Sequence, residues 1–143
     1  MNGFVGQYEH QMDPKGRVSL PSAFRHEAES ERFVLLQWES PYLTLFPEKK
    51  WLAVQEKLLD LRRRDPKAWN PVRLMIAEAV DVSPDKQGRI LVPAHLQEKG
   101  GLSGAVLLSG NIDRVELWDP DTYYQTVKVE ADDLADFAHE LFG

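Results

Sequence analysis

The chain has 143 residues, of which 43% are hydrophobic, and it contains no cysteine. Such a length suits one small domain, or two very small ones sharing a core, and the composition excludes disorder and a membrane-spanning protein. Without cysteine, disulfides, thiolate metal sites and cysteine nucleophiles are excluded as well. The opening residues lack the charged and apolar regions of a signal peptide, so we expect a cytoplasmic protein.

The formal net charge of -6 is unevenly distributed. Residues 119–143 carry seven acidic side chains and one basic one, which accounts for the whole excess, and residues 1–118 sum to zero. An acidic tail on a neutral body leaves room for a local basic patch. The global charge therefore does not exclude nucleic acid as a partner.

An internal repeat organises the chain at an offset of 72 residues. The segment DPKGRVSLP at 13–21 returns as DKQGRILVP at 85–93. Residues 8–51 pair with 80–123 at this offset without a gap, and eight of the 44 pairs are identical. The identities cluster on the turn, on the proline after it and on the apolar runs, which indicates a true duplication.

Each unit of the repeat is predicted to have the order β-β-α-β-β. An alternating strand leads through an Asp-x-x-Gly turn into a second strand, which predicts a hairpin with glycine where a positive φ is needed. A proline then marks the start of a short helix, and two further strands follow. The expected ranges of helix, third strand and fourth strand are 22–29, 33–38 and 43–47 in the first unit and 94–99, 105–109 and 114–118 in the second.

Helical material is predicted between the two units. Residues 49–64 place apolar side chains at helical spacing with charge on the opposite face. Asn70 and Pro71, as N-cap and first helical residue, predict a second helix. The side chains expected to be buried by this helix are Leu74, Met75 and Ala79. After about residue 127, a weak amphipathic pattern predicts no more than a short helix.

These patterns predict an α+β fold that is mainly β, with short helices. They divide the chain into four segments: repeat 1 over 7–54, a helical spacer over 55–78, repeat 2 over 79–122 and an acidic C-terminal tail over 123–143. Catalysis is not expected, because the four histidines lack metal-ligand spacing and no phosphate-binding glycine loop or G-x-S-x-G motif is present. We therefore expect no enzyme, no metal, no cofactor and no small-molecule substrate.

The two Asp-x-x-Gly-Arg turns carry the most informative chemistry. Asp13 and Asp85 each open a turn in which the carboxylate accepts backbone N–H groups and orients the following arginine, and Gly16 and Gly88 complete the turns. The candidate DNA-binding side chains are Lys15, Arg17, Lys86 and Arg89. Two similar basic loops related by a pseudo-twofold axis suit a duplex with regularly spaced phosphates and base edges. A purely structural turn with a local ion pair is the alternative.

Residues 13–24 and 85–96, repeated across a helical spacer, resemble the MraZ family of transcriptional regulators, which carries tandem SpoVT-AbrB-like domains. The resemblance covers almost the whole chain and includes Glu116-Leu-Trp-Asp119 after the second loop. AbrB-type domains usually interlock two hairpin units from two chains in one small barrel. The resemblance implies that here both units come from one polypeptide, as an intrachain swapped-hairpin pseudo-dimer.

The resemblance also implies a function. Family members form ring-like homo-oligomers and bind short direct repeats in double-stranded DNA upstream of a cell-division and cell-wall operon that contains their own gene. Their D-x-x-x-R loops contact the DNA, which maps onto Asp13, Lys15, Arg17, Asp85, Lys86 and Arg89. A sequence-specific, nucleoid-associated transcriptional regulator is therefore expected. A protein-interaction module stays open as the alternative, because some AbrB-type antitoxins wrap a toxin with a C-terminal tail.

Overall fold

The computed structural model describes residues 2–143 and gives both repeats the predicted order of elements. The strands are β1 (Gln7–Gln11), β2 (Arg17–Ser19), β3 (Phe33–Leu36), β4 (Leu43–Pro47), β5 (Val80–Val82), β6 (Arg89–Leu91), β7 (Ala105–Gly110) and β8 (Val115–Trp118). The helices are α1 (Ser22–Ala28), α2 (Glu48–Arg64), α3 (Trp69–Glu78), α4 (Ala94–Gly100), α5 (Pro120–Thr126) and α6 (Ala131–Phe142). The predicted α+β fold with tandem β-β-α-β-β units is confirmed.

The two repeats exchange strands within the one chain. A six-stranded antiparallel sheet has the order β1-β7-β8-β4-β3-β5, so the first strand of each repeat pairs with the third strand of the other. The second strands, β2 and β6, pair with each other in a separate two-stranded ribbon. Both sheets keep their strand order when the repeats are interchanged, which defines a pseudo-twofold axis between β4 and β8. The swapped pseudo-dimer implied by the family resemblance is present.

The hairpin expected around each Asp-x-x-x-Arg loop extends little beyond the loop itself. In repeat 1 the Asp13 N–H donates to the Arg17 carbonyl at 2.8 Å, and in repeat 2 the Asp85 N–H donates to the Arg89 carbonyl at 2.8 Å. Beyond these bonds each flanking strand takes its ladder partner from the other repeat. Strand exchange thus replaces the local pairing that the sequence pattern predicts.

One hydrophobic core joins the sheet, the ribbon and the short helices α1 and α4. Val18 and Ile90, at the centres of the two ribbon strands, are completely buried. Phe24 of α1 and Leu96 of α4, which are equivalent at the offset of 72, pack in the same cluster. Full burial of one such side chain contributes about 1.5–3 kcal/mol, so the ribbon is anchored firmly to the body.

Helix α3 departs from its predicted start. The Asp65 side chain accepts the Lys67 N–H at 2.9 Å, and a 3-10 turn over Pro66–Ala68 leads directly into the helix at Trp69. The predicted N-cap at Asn70 is therefore wrong, because the chain is already helical there. Pro71 lies in the first turn of α3, where a missing N–H costs little.

The face that α3 turns towards α2 is also different from the predicted one. Leu74 is 71% exposed, so its expected burial is wrong, and Val72 is buried instead. Met75 and Ala79 do pack against the cluster formed by α2 and the sheet. The phase of a ten-residue helix is poorly determined by sequence when apolar residues occur on more than one side.

Two helices follow β8, the first crossing the predicted start of the acidic tail at residue 123 and the second lying within the tail. Helix α5 begins at Pro120, which is the counterpart of Glu48 at the start of α2, and Asp119 caps it by accepting the Thr122 N–H at 3.0 Å. Helix α6 is 12 residues long, more than the short helix predicted. Among residues 2–143, none of the helices combines the length and the apolar character that crossing a membrane requires.

Candidate nucleic-acid interface

The first Asp-x-x-x-Arg loop is organised by its aspartate. Asp13 Oδ1 accepts the backbone N–H groups of Lys15 at 3.0 Å and of Arg17 at 2.8 Å. The other carboxylate oxygen accepts the Arg17 Nε–H at 2.9 Å. One carboxylate therefore closes the turn and sets the direction of the arginine, as predicted.

The second loop repeats this arrangement atom for atom. Asp85 Oδ1 accepts the N–H groups of Gln87 and Arg89, both at 2.9 Å. Asp85 Oδ2 accepts the Arg89 Nε–H at 3.2 Å. The turn-orienting role predicted for both aspartates is thus visible in the hydrogen bonds, and it leaves open what the arginines do.

The two loops lie at opposite ends of the antiparallel ribbon formed by β2 and β6, in which Val18 pairs with Ile90. Because side chains alternate along a strand, the residues flanking this buried pair point away from the core. These four outward residues, called the ribbon face below, are Arg17, Ser19, Leu91 and Arg89. Arg17 lies opposite Leu91, and Ser19 lies opposite Arg89.

Both arginines are held on one side of the ribbon with part of each guanidinium free. Arg89 Nη1 lies 3.8 Å from Asp13 Oδ2, so the first carboxylate contacts the arginines of both repeats. The side chains of Arg17 and Arg89 are 33% and 29% exposed. Within residues 2–143, the terminal amino groups of Arg17 donate no hydrogen bond to the protein. An anion approaching the ribbon face meets donors that are already positioned.

The loop lysines extend this positive surface. Lys15 and Lys86 are both exposed and form no ion pair within residues 2–143. They are not equivalent in the repeat, because at the offset of 72 Lys15 matches Gln87 and Lys86 matches Pro14. The two arginines and their carboxylates thus lie on the ribbon, and one exposed lysine lies in the loop at each of its ends.

The loop glycines bring the backbones of the two repeats together. Gly16 has φ +89° and its carbonyl accepts the Val92 N–H at 2.8 Å, while a Cβ at this position would lie 2.6 Å from the Val92 carbonyl oxygen. Gly88 has φ +76°, and its carbonyl accepts the Leu20 N–H at 2.9 Å. The predicted positive φ is confirmed at both positions. Each loop is therefore attached to the strand end of the other repeat.

Two supporting side chains were not predicted from the sequence. Arg25 Nε donates to the Leu20 carbonyl at 3.1 Å, and Gln97 Nε2 donates to the Val92 carbonyl at 2.8 Å. Arg25 and Gln97 are equivalent at the offset of 72, and each lies against the glycine of the other repeat's loop. The available signal was that the two residues occupy the same position in the repeat. It was not recognised because arginine and glutamine differ in charge and size, although both can donate a hydrogen bond to a carbonyl.

The loop carboxylates should also make the stability of the folded protein depend on pH. Hydrogen bonds from the backbone N–H groups of Arg17 and Arg89 are the largest cause that lowers the pKa of Asp13 and the pKa of Asp85 below 3.8. A carboxyl whose pKa is lowered by folding stabilises the protein above its unfolded-state pKa, and this contribution is lost as the pH falls through the folded-state value.

We therefore expect the urea midpoint of the wild-type protein to fall as the pH decreases from about 5 to about 3. In an Asp13→Asn/Asp85→Asn double variant, which keeps one oxygen acceptor at each site, the midpoint should fall less over the same range. Urea unfolding followed by circular dichroism at several pH values measures both slopes. Parallel slopes would show that the two carboxylates do not contribute in this way.

The fold and the two loops define the chain as a strand-exchanged tandem-repeat protein with one basic loop from each repeat. A family model described as "MraZ protein, putative antitoxin-like" matches residues 4–70 and 75–142. The chain is 39% identical over 122 residues to a protein of Carboxydothermus hydrogenoformans named "Transcriptional regulator MraZ", covering 84% of this chain and 83% of the relative. A protein of the same name from Caldanaerobacter subterraneus subsp. tengcongensis is 37% identical over 137 residues, covering 92% of this chain and 94% of that protein. The chain belongs to the MraZ family.

Proposed function

We propose that the protein is a sequence-specific DNA-binding transcriptional regulator whose ribbon face and adjoining loops contact duplex DNA. The observation that carries this proposal is the pair of carboxylate-oriented arginines, Arg17 and Arg89, which lie diagonally across a firmly anchored two-stranded ribbon. The major groove, about 12 Å wide, admits a two-stranded β-ribbon. The name of the two relatives, transcriptional regulator, supports the same role.

The proposed roles follow from the chemistry of each side chain. Arginine presents a planar fork of donors that matches guanine edges and phosphates, whereas lysine offers a flexible point charge suited to phosphates. Arg17 and Arg89 are therefore the residues that position the ribbon and read DNA, and Lys15 and Lys86 are phosphate contacts. The turn-orienting residues hold the loops in shape: Asp13, Gly16, Asp85 and Gly88. In this division of the chain, repeats 7–54 and 79–122 each supply one loop.

The ribbon face is not symmetric, which bears on the kind of site it would bind. Ser19 and Leu91 are equivalent at the offset of 72, yet one carries a hydroxyl and the other an apolar side chain that is 52% exposed. Serine exchanges hydrogen bonds with base edges or phosphates, while an apolar side chain suits the methyl group of thymine. The two ends of the ribbon therefore differ, so a protomer has a direction on DNA, as binding to direct repeats requires.

We further propose that the protein acts as a ring-like homo-oligomer on tandem direct repeats upstream of its own cell-division and cell-wall operon, in the cytoplasm at the nucleoid. A single protomer offers only four cations to the DNA, and each neutralised phosphate contributes a limited, salt-dependent term. When several protomers of one assembly bind successive repeats, each further contact is intramolecular and the effective concentration is high. The oligomer supplies the affinity that one protomer lacks.

This proposal predicts weak binding to one repeat and tight binding to three. The slope of log K against log salt should steepen with the number of repeats, since each neutralised phosphate adds about -0.9 to it. Fluorescence anisotropy of duplexes carrying one, two or three repeats, each over a salt series, measures both effects. Equal affinity for one and three repeats would contradict a cooperative assembly on tandem sites.

A second candidate function is a protein-interaction module that uses its acidic tail. It is favoured by the exposure of every residue from 124 to 143, and the description of the family includes the words "putative antitoxin-like". In that case the tail would bind a basic partner, and the ribbon face would show no preference for any DNA sequence. Binding of wild-type protein to its upstream DNA, compared with scrambled DNA, separates the two functions.

A further inference from the structure

The exposed apolar side chains are concentrated on two surfaces. Of 17 large hydrophobic residues exposed among residues 2–143, six lie on the hairpin of α2 and α3 and seven lie between 124 and 142. The other four are scattered elsewhere: Val5, Tyr8, Leu91 and Ile112. Isolated exposed apolar residues are common in soluble proteins, but contiguous groups mark interaction sites. Two such groups on one chain would bind two different partners, or one group would bind the other.

The first surface is a groove between α2 and α3. It has a volume of about 280 Å³, and its lining includes Leu59, Arg62, Val72 and Ile76. Leu59 and Ile76 are about 40% exposed, and the Arg62 guanidinium lies 4.3 Å from the centre of the half-exposed Trp69 ring. The groove is therefore lined mainly by apolar side chains together with Arg62, and Arg73 lines an adjoining pocket that shares Arg62, Val72 and Ile76 with it.

The second surface is helix α6. Leu134, Phe137 and Leu141 recur at intervals of three and four residues, so they form one apolar stripe along the helix. All three are about 60% exposed. The carboxylates of the helix lie outside that stripe and are Asp132, Asp133, Asp136 and Glu140. Amphipathic helices of this kind commonly bind to other proteins by packing their apolar face into a hydrophobic groove.

The charges of the two surfaces are complementary. Residues 48–78, which form the α2–α3 hairpin, contain eight basic and five acidic side chains, a net charge of +3. Helix α6 contains four carboxylates and no lysine or arginine, a net charge of -4. Opposite charges around an apolar contact steer the partners together and fix their register. The groove and the helix thus match in both polarity and charge.

The positions of the two surfaces favour docking between chains. Helix α2 packs on β3 and β4, in the half of the sheet that repeat 1 contributes. Helix α5, which leads into α6, packs on β7, in the half that repeat 2 contributes. The linker over 127–130 has only four residues and spans at most about 14 Å. On one protomer, the hairpin that forms the groove and the segment that leads into α6 therefore pack on different halves of the sheet, as suits the two sides of a head-to-tail interface.

We propose that α6 of one chain docks in the α2–α3 groove of a second copy, and that this contact is the interface of the homo-oligomer. The inference rests on the proposed assembly into an oligomer and names the surfaces that form it. A head-to-tail contact repeats from chain to chain and closes into a ring when its rotation permits. The acidic tail then serves assembly, which gives the chain's excess negative charge a role separate from DNA binding.

The test uses full-length variants that disable one surface each. Phe137→Asp places a charge in the apolar stripe of α6, and Ile76→Asp places one in the groove. Both side chains are substantially exposed, so each variant should keep the wild-type circular dichroism spectrum, and Arg62→Glu provides a second groove variant. Val5→Asp is the matched control, because Val5 is 74% exposed and belongs to neither surface. Light scattering coupled to size exclusion gives the mass of each species.

We expect an oligomer for the wild type and for Val5→Asp, and a 16.4 kDa monomer for Phe137→Asp, Ile76→Asp and Arg62→Glu. An equimolar mixture of Phe137→Asp and Ile76→Asp should form a two-chain species, because one variant keeps a working groove and the other a working helix. A chain carrying both substitutions should not pair with itself. Recovery of a two-chain species only in the mixture is the signature of a head-to-tail contact.

Several results would overturn the inference. If the wild type is an oligomer and Phe137→Asp leaves its mass unchanged, the interface lies elsewhere, while the proposed DNA-binding function stands. If the variants are monomers but their mixture does not pair, α6 does not dock in the groove of a second copy. If the wild type is a monomer at every concentration, the proposed ring fails together with this interface. Binding of Phe137→Asp to a single-repeat duplex, expected at wild-type affinity, tests the DNA-binding function separately.

Discussion

Replacement of Arg17 by alanine should remove sequence-specific DNA binding and leave the fold unchanged. Loss of one arginine contact to DNA costs about 1–3 kcal/mol, or roughly 5- to 150-fold in affinity for a single repeat. On tandem repeats every protomer loses the same contact, so the losses multiply across the assembly. We expect Arg17→Ala to show no preference for repeat DNA at concentrations that saturate the wild type. Anisotropy titrations with a scrambled competitor measure this difference.

The structure explains why this variant should fold. Val18 and the β2–β6 ladder do not depend on the Arg17 side chain, and Asp13 keeps its bonds to two backbone N–H groups. Arg32→Ala is the matched control, since Arg32 is also an exposed arginine paired with carboxylates, Glu48 and Asp81, and lies outside the ribbon face. The control should bind DNA as the wild type does. Loss of thermal stability or of the oligomer in Arg17→Ala would instead assign the arginine a structural role.

Replacement of Gly16 by alanine should give the largest loss of stability at the site. A positive φ of +89° is strained for any L side chain, and the new Cβ would lie 2.6 Å from the Val92 carbonyl oxygen, where backbone must move. Strain of this kind costs about 1–3 kcal/mol, and the forced displacement costs a similar amount. We expect a loss of about 2–5 kcal/mol in the free energy of unfolding, or roughly 5–15 °C in the melting temperature.

Gly101 provides the control for Gly16. It also has a positive φ, +63°, but a Cβ at Gly101 would meet nothing within 4 Å. Gly101→Ala should therefore cost only the conformational term, about 1–2 kcal/mol. Thermal unfolding of both variants, followed by circular dichroism, separates the strain of the backbone from the contact between repeats. Equal losses would mean that the approach of Gly16 to Val92 contributes nothing to stability.

The sequence predicts the local features of the site well. The roles of Asp13 and Asp85 in closing the turns, and the positive φ of Gly16 and Gly88, follow from short-range chemistry in which each residue acts on neighbours within four positions. The repeat at an offset of 72 then transfers the roles of the aspartate, the glycine and the arginine from one loop to the other, but not the position of the lysine. Helix α2 is also found where the apolar spacing places it, beginning one residue earlier at Glu48.

The pairing of strands between the two repeats could not be predicted from local sequence patterns alone. The pairing of β1 with β7, and of β5 with β3, depends on which strands are complementary across the core, which alternation within a strand does not encode. The family resemblance implies this exchange, and the structure contains it. The supports at Arg25 and Gln97 were missed for a related reason, because each acts on the loop of the other repeat.

The errors lie in the spacer and the tail, and they have both local and tertiary causes. Asp65 and Pro66 start the turn into α3 before the predicted cap at Asn70. Leu74 is exposed because α3 presents Val72 to α2 instead. Helix α5 was not predicted, although the repeat pairs Pro120 with Glu48, so the predicted helix after β4 could have served as a template for a helix after β8.

Whether the ribbon face reads DNA can be measured by comparing two duplexes. Fluorescence anisotropy of wild-type protein with labelled duplex from upstream of its own gene is compared with a scrambled duplex of the same length and composition, over a salt series. We expect tight binding to the upstream duplex, a clear preference over the scrambled duplex and a steep loss of affinity with salt. Equal affinity for the two duplexes at every salt concentration would contradict it and favour a protein partner.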